Sequence, residues 1–178
     1  MFEFVQVEDE FSPLFTEVRE IYEESFPPEE KRSLSLQRQA WKDPGYELLA
    51  ILKDNQVIGL LGVWHLDGFL FVEHFALSSE TRGLGIGSSL LNEYMSTLND
   101  KMIILEIDPL IDEISRRRAE FYKRLGFHLT DHYHAQFPFR VEDSPVVLRI
   151  MSYPTAMTED EYTTFNKEYV DRVMNFSL

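Results

Sequence analysis

The chain has 178 residues, with 17 basic against 31 acidic side chains and a formal net charge of −14. A surface of that sign repels phosphate backbones, which argues against nucleic acid as a main partner, and no apolar run reaches the roughly 18 residues that a membrane span needs. With 44% hydrophobic residues, no cysteine and no basic, apolar leader, the sequence reads as one globular cytoplasmic domain over residues 1–178, without disulfides or thiol chemistry of its own.

Phe2–Val7 alternates weakly, as a first strand would. Ser12 before Pro13 reads as an N-cap that opens a helix to about Ser25. Pro27-Pro28-Glu29-Glu30 restarts the chain, a second helical piece reaches Trp41, and Asp43-Pro44-Gly45 turns it. Glu47–Lys53 and Val57–His65 flank Asp54-Asn55, a hairpin signal. After the turn at Asp67-Gly68, Phe69–Leu77 is mostly apolar on both faces and reads as a central strand. Ile86, Leu90, Leu91, Tyr94, Met95 and Leu98 recur at helical spacing. Met102–Ile107 is a short buried strand, and Glu113–Leu125 a helix closed by Gly126 at C′. Phe127–Gln136 and Val146–Ser152 are the last strands, and Thr158 with Glu161 makes a capping box for a terminal helix. This order predicts an α/β domain on a mixed sheet.

The segment between the central strand and its helix is Arg82-Gly83-Leu84-Gly85-Ile86-Gly87. Residues without Cβ let successive N–H groups converge on an anion, and a helix N-terminus adds about half a positive charge. Arg82 brings a full charge and a bidentate grip. The plainer alternative is a turn whose glycines only permit tight packing. A Walker loop needs Gly-Lys-Ser/Thr, where this chain has Gly87-Ser88-Ser89. A dinucleotide fingerprint fails at its third glycine, which is Ser88 or Leu90, and belongs after the first strand of its unit. Glu106 does fall near the distance of that fingerprint's ribose carboxylate.

The remaining pattern, Arg-x-x-Gly-x-Gly, resembles the signature of the GCN5-related N-acetyltransferase (GNAT) family. The likeness extends over about residues 46–130: "FVEHFALSSETRGLGIGSSLL" resembles the family's fourth strand, pyrophosphate loop and third helix, "IILEID" its fifth strand, and "RRRAEFYKRLGF" its fourth helix with a Tyr-x-x-x-Gly-Phe ending. The resemblance implies an α/β (α+β) single GNAT-like domain, with a mixed, mostly antiparallel sheet of about six or seven strands, flanked by helices and splayed between strands four and five. It implies acetyl-CoA as cosubstrate. Main-chain groups of Phe75, Ala76 and Leu77 would pair with the pantetheine arm. Arg82 would frame the loop, and amides of Gly83, Leu84, Gly85, Ile86, Gly87 and Ser88 would hold the pyrophosphate. Ser115 stands where the family often has an arm-binding asparagine. Tyr122 matches the tyrosine that lies against the cofactor and protonates the departing thiolate.

The reaction so implied is direct attack of a primary amine, on a small molecule or a peptide, upon the thioester. It calls for a base, an oxyanion donor and an acid. Glu106 matches a strand-five glutamate that serves some relatives as base, while Glu73, mid-strand on an apolar face, would have its pKa raised by burial toward the useful range. Either one is equally a structural carboxylate. His74, on the other strand face, reads as a core histidine. His132 and His134 flank Tyr133 without a third ligand, so no metal is expected. Arg116-Arg117-Arg118 reads as a solvated helix face, with a contact to the adenosine 3′-phosphate as the alternative. The acidic string Glu20, Glu23, Glu24, Glu29 and Glu30 suits a cationic acceptor and simple solvation equally well. The late apolar strands and terminal helix admit a homodimer. The competing function is a non-catalytic acyl-CoA-binding sensor or interaction domain.

Overall fold

The computed structural model of the protein describes residues 1–98, 101–140 and 143–175. Its elements are β1 (Glu3–Gln6), α1 (Phe15–Ser25), a 3-10 turn (Pro28–Glu30), α2 (Leu34–Ala40), β2 (Tyr46–Lys53), β3 (Gln56–His65), β4 (Phe69–Leu77), α3 (Ile86–Met95), β5 (Met102–Ile107), α4 (Glu113–Arg124), β6 (His128–Gln136), β7 (Val146–Tyr153), α5 (Glu159–Glu168) and a π-helical turn (Tyr169–Val173). The strands form one seven-stranded sheet in the order β1-β2-β3-β4-β5-β7-β6. It is parallel at β4–β5 and antiparallel at β1–β2, β2–β3, β5–β7 and β6–β7. The mixed, mostly antiparallel sheet expected from the sequence is therefore the one present. The chain divides into two compact units, Met1–Trp64 with Glu73–Asn99 and His65–Val72 with Asp100–Leu178, so that β4 contributes to both.

In the first unit, Asp54 and Asn55 take φ of 51° and 62°, the left-handed pair of a type I′ hairpin that short polar side chains tolerate. The turn fixes the register of β2 against β3, from Lys53↔Gln56 to Tyr46↔Trp64. Ala50, Ile51, Leu60, Leu61, Val63 and Leu90 are fully enclosed, and α1 buries Val18, Ile21 and Tyr22 on one face. Three boundaries differ from the sequence expectation. Ser12 does not cap α1: its Oγ accepts from the Glu8 N–H at 3.2 Å, and the helix begins at Phe15 behind Leu14 with no capping side chain. The second helix starts late, because Ser33 supplies the capping oxygen (Oγ to Leu36 N–H, 3.2 Å) that Pro27 lacks, and Pro28–Glu30 makes only a 3-10 turn. α3 stops at Met95, short of Leu98, where the Ser96 and Thr97 hydroxyls turn back onto the carbonyls of Glu93 and Tyr94 at 2.7 Å each.

In the second unit, Phe69–Val72 of β4 lies beside Met102–Leu105 of β5, while β4 itself continues to Leu77. α4 ends before Gly126, whose φ of 91° gives the left-handed C′ the sequence predicts. The capping box of Thr158 and Glu161 opens α5 as expected. α5 and the π turn bury Phe165 and Tyr169 completely, with the Phe165 ring against Phe69 (5.9 Å), Phe71 (5.7 Å) and Tyr169 (5.6 Å). No helix among the described residues is long and apolar enough to cross a membrane. Because this aromatic cluster is enclosed, Phe165→Ala is expected to lower unfolding free energy by about 3–5 kcal/mol, measured by urea titration. A loss under about 1 kcal/mol would mean that the cluster collapses around the gap.

Candidate functional site

The glycine loop is spacious at two of its positions. Gly83 and Gly85 take φ of 79° and 74°, and a Cβ on either would meet nothing within 4 Å. Gly85 serves as N-cap of α3 in the left-handed conformation, with no capping side chain and no acid in the first turn. The other long helices treat their N-termini differently. α4 has a capping box from Asp112 followed by Glu113, α5 has Thr158 with three acids, and α1 has Glu17. The start of α3 thus has neither a capping side chain nor an acid in its first turn. Gly87 lies inside the helix and contributes no special backbone. Arg82 Nε donates to the Leu77 carbonyl at 2.8 Å and its Nη2 to Ser25 Oγ at 2.7 Å.

Along β4 the three expected main-chain partners are not equivalent. The Ser78 N–H donates to the Ile58 carbonyl of β3 at 2.8 Å, and strand alternation turns the peptide groups of Ala76 the same way. The Ala76 carbonyl accordingly lies against Gly59 of β3, where a Cβ would approach it to 2.5 Å. Alternation aims Phe75 and Leu77 away from β3, and the Leu77 carbonyl is already taken by Arg82. The Ala76 carbonyl therefore faces β3, whereas the peptide groups of Phe75 face away from it.

Glu73 is also corrected. Its carboxylate is enclosed with the Arg32 guanidinium (Nη2 to Oε1, 2.6 Å), accepts from Trp64 Nε1 at 3.1 Å, and lies 3.5 Å from His74 Nδ1. Burial alone would raise its pKa, as the sequence suggests, but the Arg32 charge and then His74 outweigh it and hold the group at about 2. An arginine far away in sequence has filled the role of partner. Arg32 in turn sits over the Trp64 ring at 5.5 Å, and its backbone N–H donates to Tyr22 Oη at 2.8 Å. His74 is the buried core histidine expected, its Nε2 within 3.0 Å of the Glu30 carbonyl and 3.4 Å of Tyr22 Oη. Burial raises the Tyr22 phenol far above its usual range.

In the second unit, Glu106 of β5 and His134 of β6 share one sheet face. Glu106 stands opposite Ile150 and His134 opposite Leu148, two residues along β7. Glu106 Oε1 lies 3.0 Å from His134 Nε2, yet neither atom makes an aligned hydrogen bond. His134 Nδ1 is 3.1 Å from Tyr162 Oη, and the His132 ring stacks on Tyr162 at 4.4 Å and 6°. Ser115 is corrected: buried at 3% exposure, its hydroxyl donates to the Asp112 carbonyl (3.1 Å) and accepts from the Asp112 N–H (3.3 Å), which commits its only donor to the helix cap. Tyr122 is packed against Phe121 (5.1 Å) and Phe127 (5.7 Å), and burial pushes its phenol up to about 12 against a smaller opposing effect of Arg118. The basic run is internally occupied: Arg116 holds the Leu110 carbonyl, Arg117 pairs with Glu113, and Arg118 with Asp108 at 2.9 Å.

The sheet is open and mostly antiparallel, with β4 and β5 parallel and the glycine start of α3 between them in the chain. The model of the acetyltransferase (GNAT) family matches residues 15–127, and the chain belongs to that family. A solved structure described as "Putative acetyltransferase from GNAT family from Bacteroides thetaiotaomicron" superposes with a TM-score of 0.87, at 28% identity over 97% of each chain. The ribosomal-protein-S18-alanine N-acetyltransferase of Escherichia coli shares the fold, with a TM-score of 0.62 and 15% identity over 90% of this chain and 97% of its own. The curated protein "Putative acetyltransferase YjbC" of Bacillus subtilis (strain 168) is 33% identical over 85 residues, 47% of this chain and 41% of the relative. The match thus spans less than half of that relative's length. Members of the family use acetyl-CoA as cosubstrate.

The Arg32–Glu73 pair makes a stability prediction whose sign follows from the lowered pKa. The ordinary value is 4.5 and the folded value about 2, so the stabilisation is present above about pH 4.5 and is lost as pH falls through about 2. Glu73→Gln strands the buried guanidinium and should cost about 3–5 kcal/mol at neutral pH. The gap between variant and wild type should shrink toward about pH 2 in urea titrations. A gap that stays constant with pH would contradict the assignment.

Proposed function

We propose that the protein is an acetyl-CoA-dependent N-acetyltransferase that acts on a primary amine of a small molecule or peptide. The observation that carries the reading is the α3 start, where two left-handed glycines and a helix with neither cap nor acid leave amides and a positive pole for a diphosphate. Membership of the GNAT family supports the same carrier. Amides from Gly83 to Ser88 hold the pyrophosphate, Arg82 fixes the loop from below, and the backbone of Phe75 pairs with the pantetheine arm. A ligand carrying phosphates also meets no carboxylate in the first turn of α3.

In the reaction the amine nitrogen bonds to the acetyl carbon, the C–S bond breaks, and one proton leaves the nitrogen while one reaches the sulfur. Glu106 is the base of this proposal, because Glu73 is held ionised beside a permanent cation and has no proton chemistry near neutral pH. Tyr122 is the acid. Its raised pKa keeps the phenol intact across the neutral range, so it gives up its proton only as charge develops on sulfur.

Acetyl-CoA at 100 times its Kd should add about 2.7 kcal/mol to the native state and raise Tm, whereas NAD should not. Gly85→Val, forced into a left-handed conformation with its side chain in the cofactor's space, should abolish most of that shift. An unmoved Tm with saturating acetyl-CoA overturns the reading. In an amine panel followed by release of CoA thiol, Tyr122→Phe should lower kcat by at least about tenfold with little change in acetyl-CoA affinity. Thiol release by wild type separates an enzyme from a sensor.

A further inference from the structure

Buried polar atoms in folded proteins are nearly always hydrogen-bonded, so an unaligned pair calls for an account. Glu106 Oε1 and His134 Nε2 are such a pair, 3.0 Å apart, buried and without an aligned hydrogen bond. His134 is 1% exposed on its side chain and Glu106 9%. The other ring nitrogen, Nδ1, meets Tyr162 Oη at 3.1 Å. Tyr162 is only half-buried, on the first turns of α5. A carboxylate, an imidazole and a phenol thus lie in a row that leads from the interior of β5 to the surface.

Building on the acetyl-transfer reading above, we propose that His134 is the proton acceptor that regenerates Glu106 as base, and that Tyr162 continues the path to water. The proton leaves the attacking amine for Glu106, and passes from Oε1 to His134 Nε2. As it bonds there, the Nδ1 proton shifts to the Tyr162 oxygen while the phenol's own proton departs to water. One proton leaves the acceptor and one enters solvent, and neither Glu106 nor Tyr162 changes charge over the cycle. His134 ends as the other neutral tautomer and resets by exchange through the same phenol.

The surroundings suit a relay better than a static ion pair. The groups that face the imidazole are Glu106 from β5, Tyr162 from α5, and the Tyr169 ring of the π turn at 4.2 Å, while β7 presents the apolar Leu148 and Ile150. Glu159 reaches His132, with Nδ1 and Oε2 3.5 Å apart, at the solvent end. No permanent cation appears among these partners, unlike at Glu73. Burial, with Glu159 and Glu106 nearby, raises the Tyr162 pKa, so Tyr162 stays a hydroxyl that both accepts and donates at neutral pH.

The test uses the full chain, acetyl-CoA and the best acceptor from the amine panel, with kcat/KM followed from about pH 6 to 9. Tyr162→Phe and His134→Gln are expected to lower kcat at least about tenfold and to displace the acidic limb of the profile, while KM for acetyl-CoA moves less than about twofold. Tyr162→Phe removes a half-buried hydroxyl only, so it decides the matter if His134→Gln does not fold. Independently of turnover, proton NMR of the wild type should show a slowly exchanging His134 Nδ1–H, held by the Tyr162 oxygen, that exchanges faster in Tyr162→Phe. Profiles superimposable with wild type, or a ring N–H untouched by Tyr162→Phe, overturn the relay alone. Wild-type protein that binds acetyl-CoA yet acetylates no amine overturns the enzyme reading and the relay with it.

Discussion

A carboxylate enclosed in the middle of a strand must find a positive charge, and the way Glu73 meets that demand organises the first compact unit. Its partner, Arg32, comes from the irregular segment between the 3-10 turn and α2. The guanidinium lies over the Trp64 ring of β3, and the Arg32 amide donates to Tyr22 of α1. His74, next to Glu73, ties the Glu30 carbonyl. One ion pair thereby fastens a helix, an irregular segment and two strands to each other. Removing either charge would leave the other desolvated, which is why such pairs are far more costly to break than to replace as a whole.

Glu106 shows what a strand carboxylate does without a permanent cation. Glu73 faces an arginine, always charged, and is locked in the ionised form. Glu106 faces the His134 imidazole instead, with Oε1 3.0 Å from Nε2. The two side chains look alike in a sequence, each an acid in an apolar strand. Their partners differ: a permanent cation beside one and an imidazole beside the other. That distinction is what moves Glu73 out of the candidate catalytic set and leaves Glu106 in it.

Much of the fold was legible because its signals are local. The hairpin at Asp54-Asn55 needs two left-handed residues in succession, and Thr158 with Glu161 closes a capping box within one turn. The glycine segment was legible for the same reason. Helix starts were misplaced where two caps competed over a few residues: Ser12 spends its oxygen on Glu8, and Ser33 rather than Pro27 opens α2. The partners of the candidate site were not legible. Arg32 lies 41 residues from Glu73, and His134 reaches Glu106 only because β7 is interposed between β5 and β6. No periodicity records a sheet order of that kind. Ser115 was misread because an arm-binding position and the N3 position of a capping box coincide in this helix.

The same reasoning about helix ends gives the glycine loop its meaning. Side chains that cap a helix stabilise it by about 1 kcal/mol, and acids in the first turn add a few tenths. α4 and α5 take both contributions, whereas α3 takes neither and accepts glycine strain-free at Gly83 and Gly85 in their place. A cap at position 85 would occupy the amides, and an acid at 87 or 88 would repel a phosphate. On the proposed reading, an anion at these amides would supply the stabilisation that caps and acids give α4 and α5.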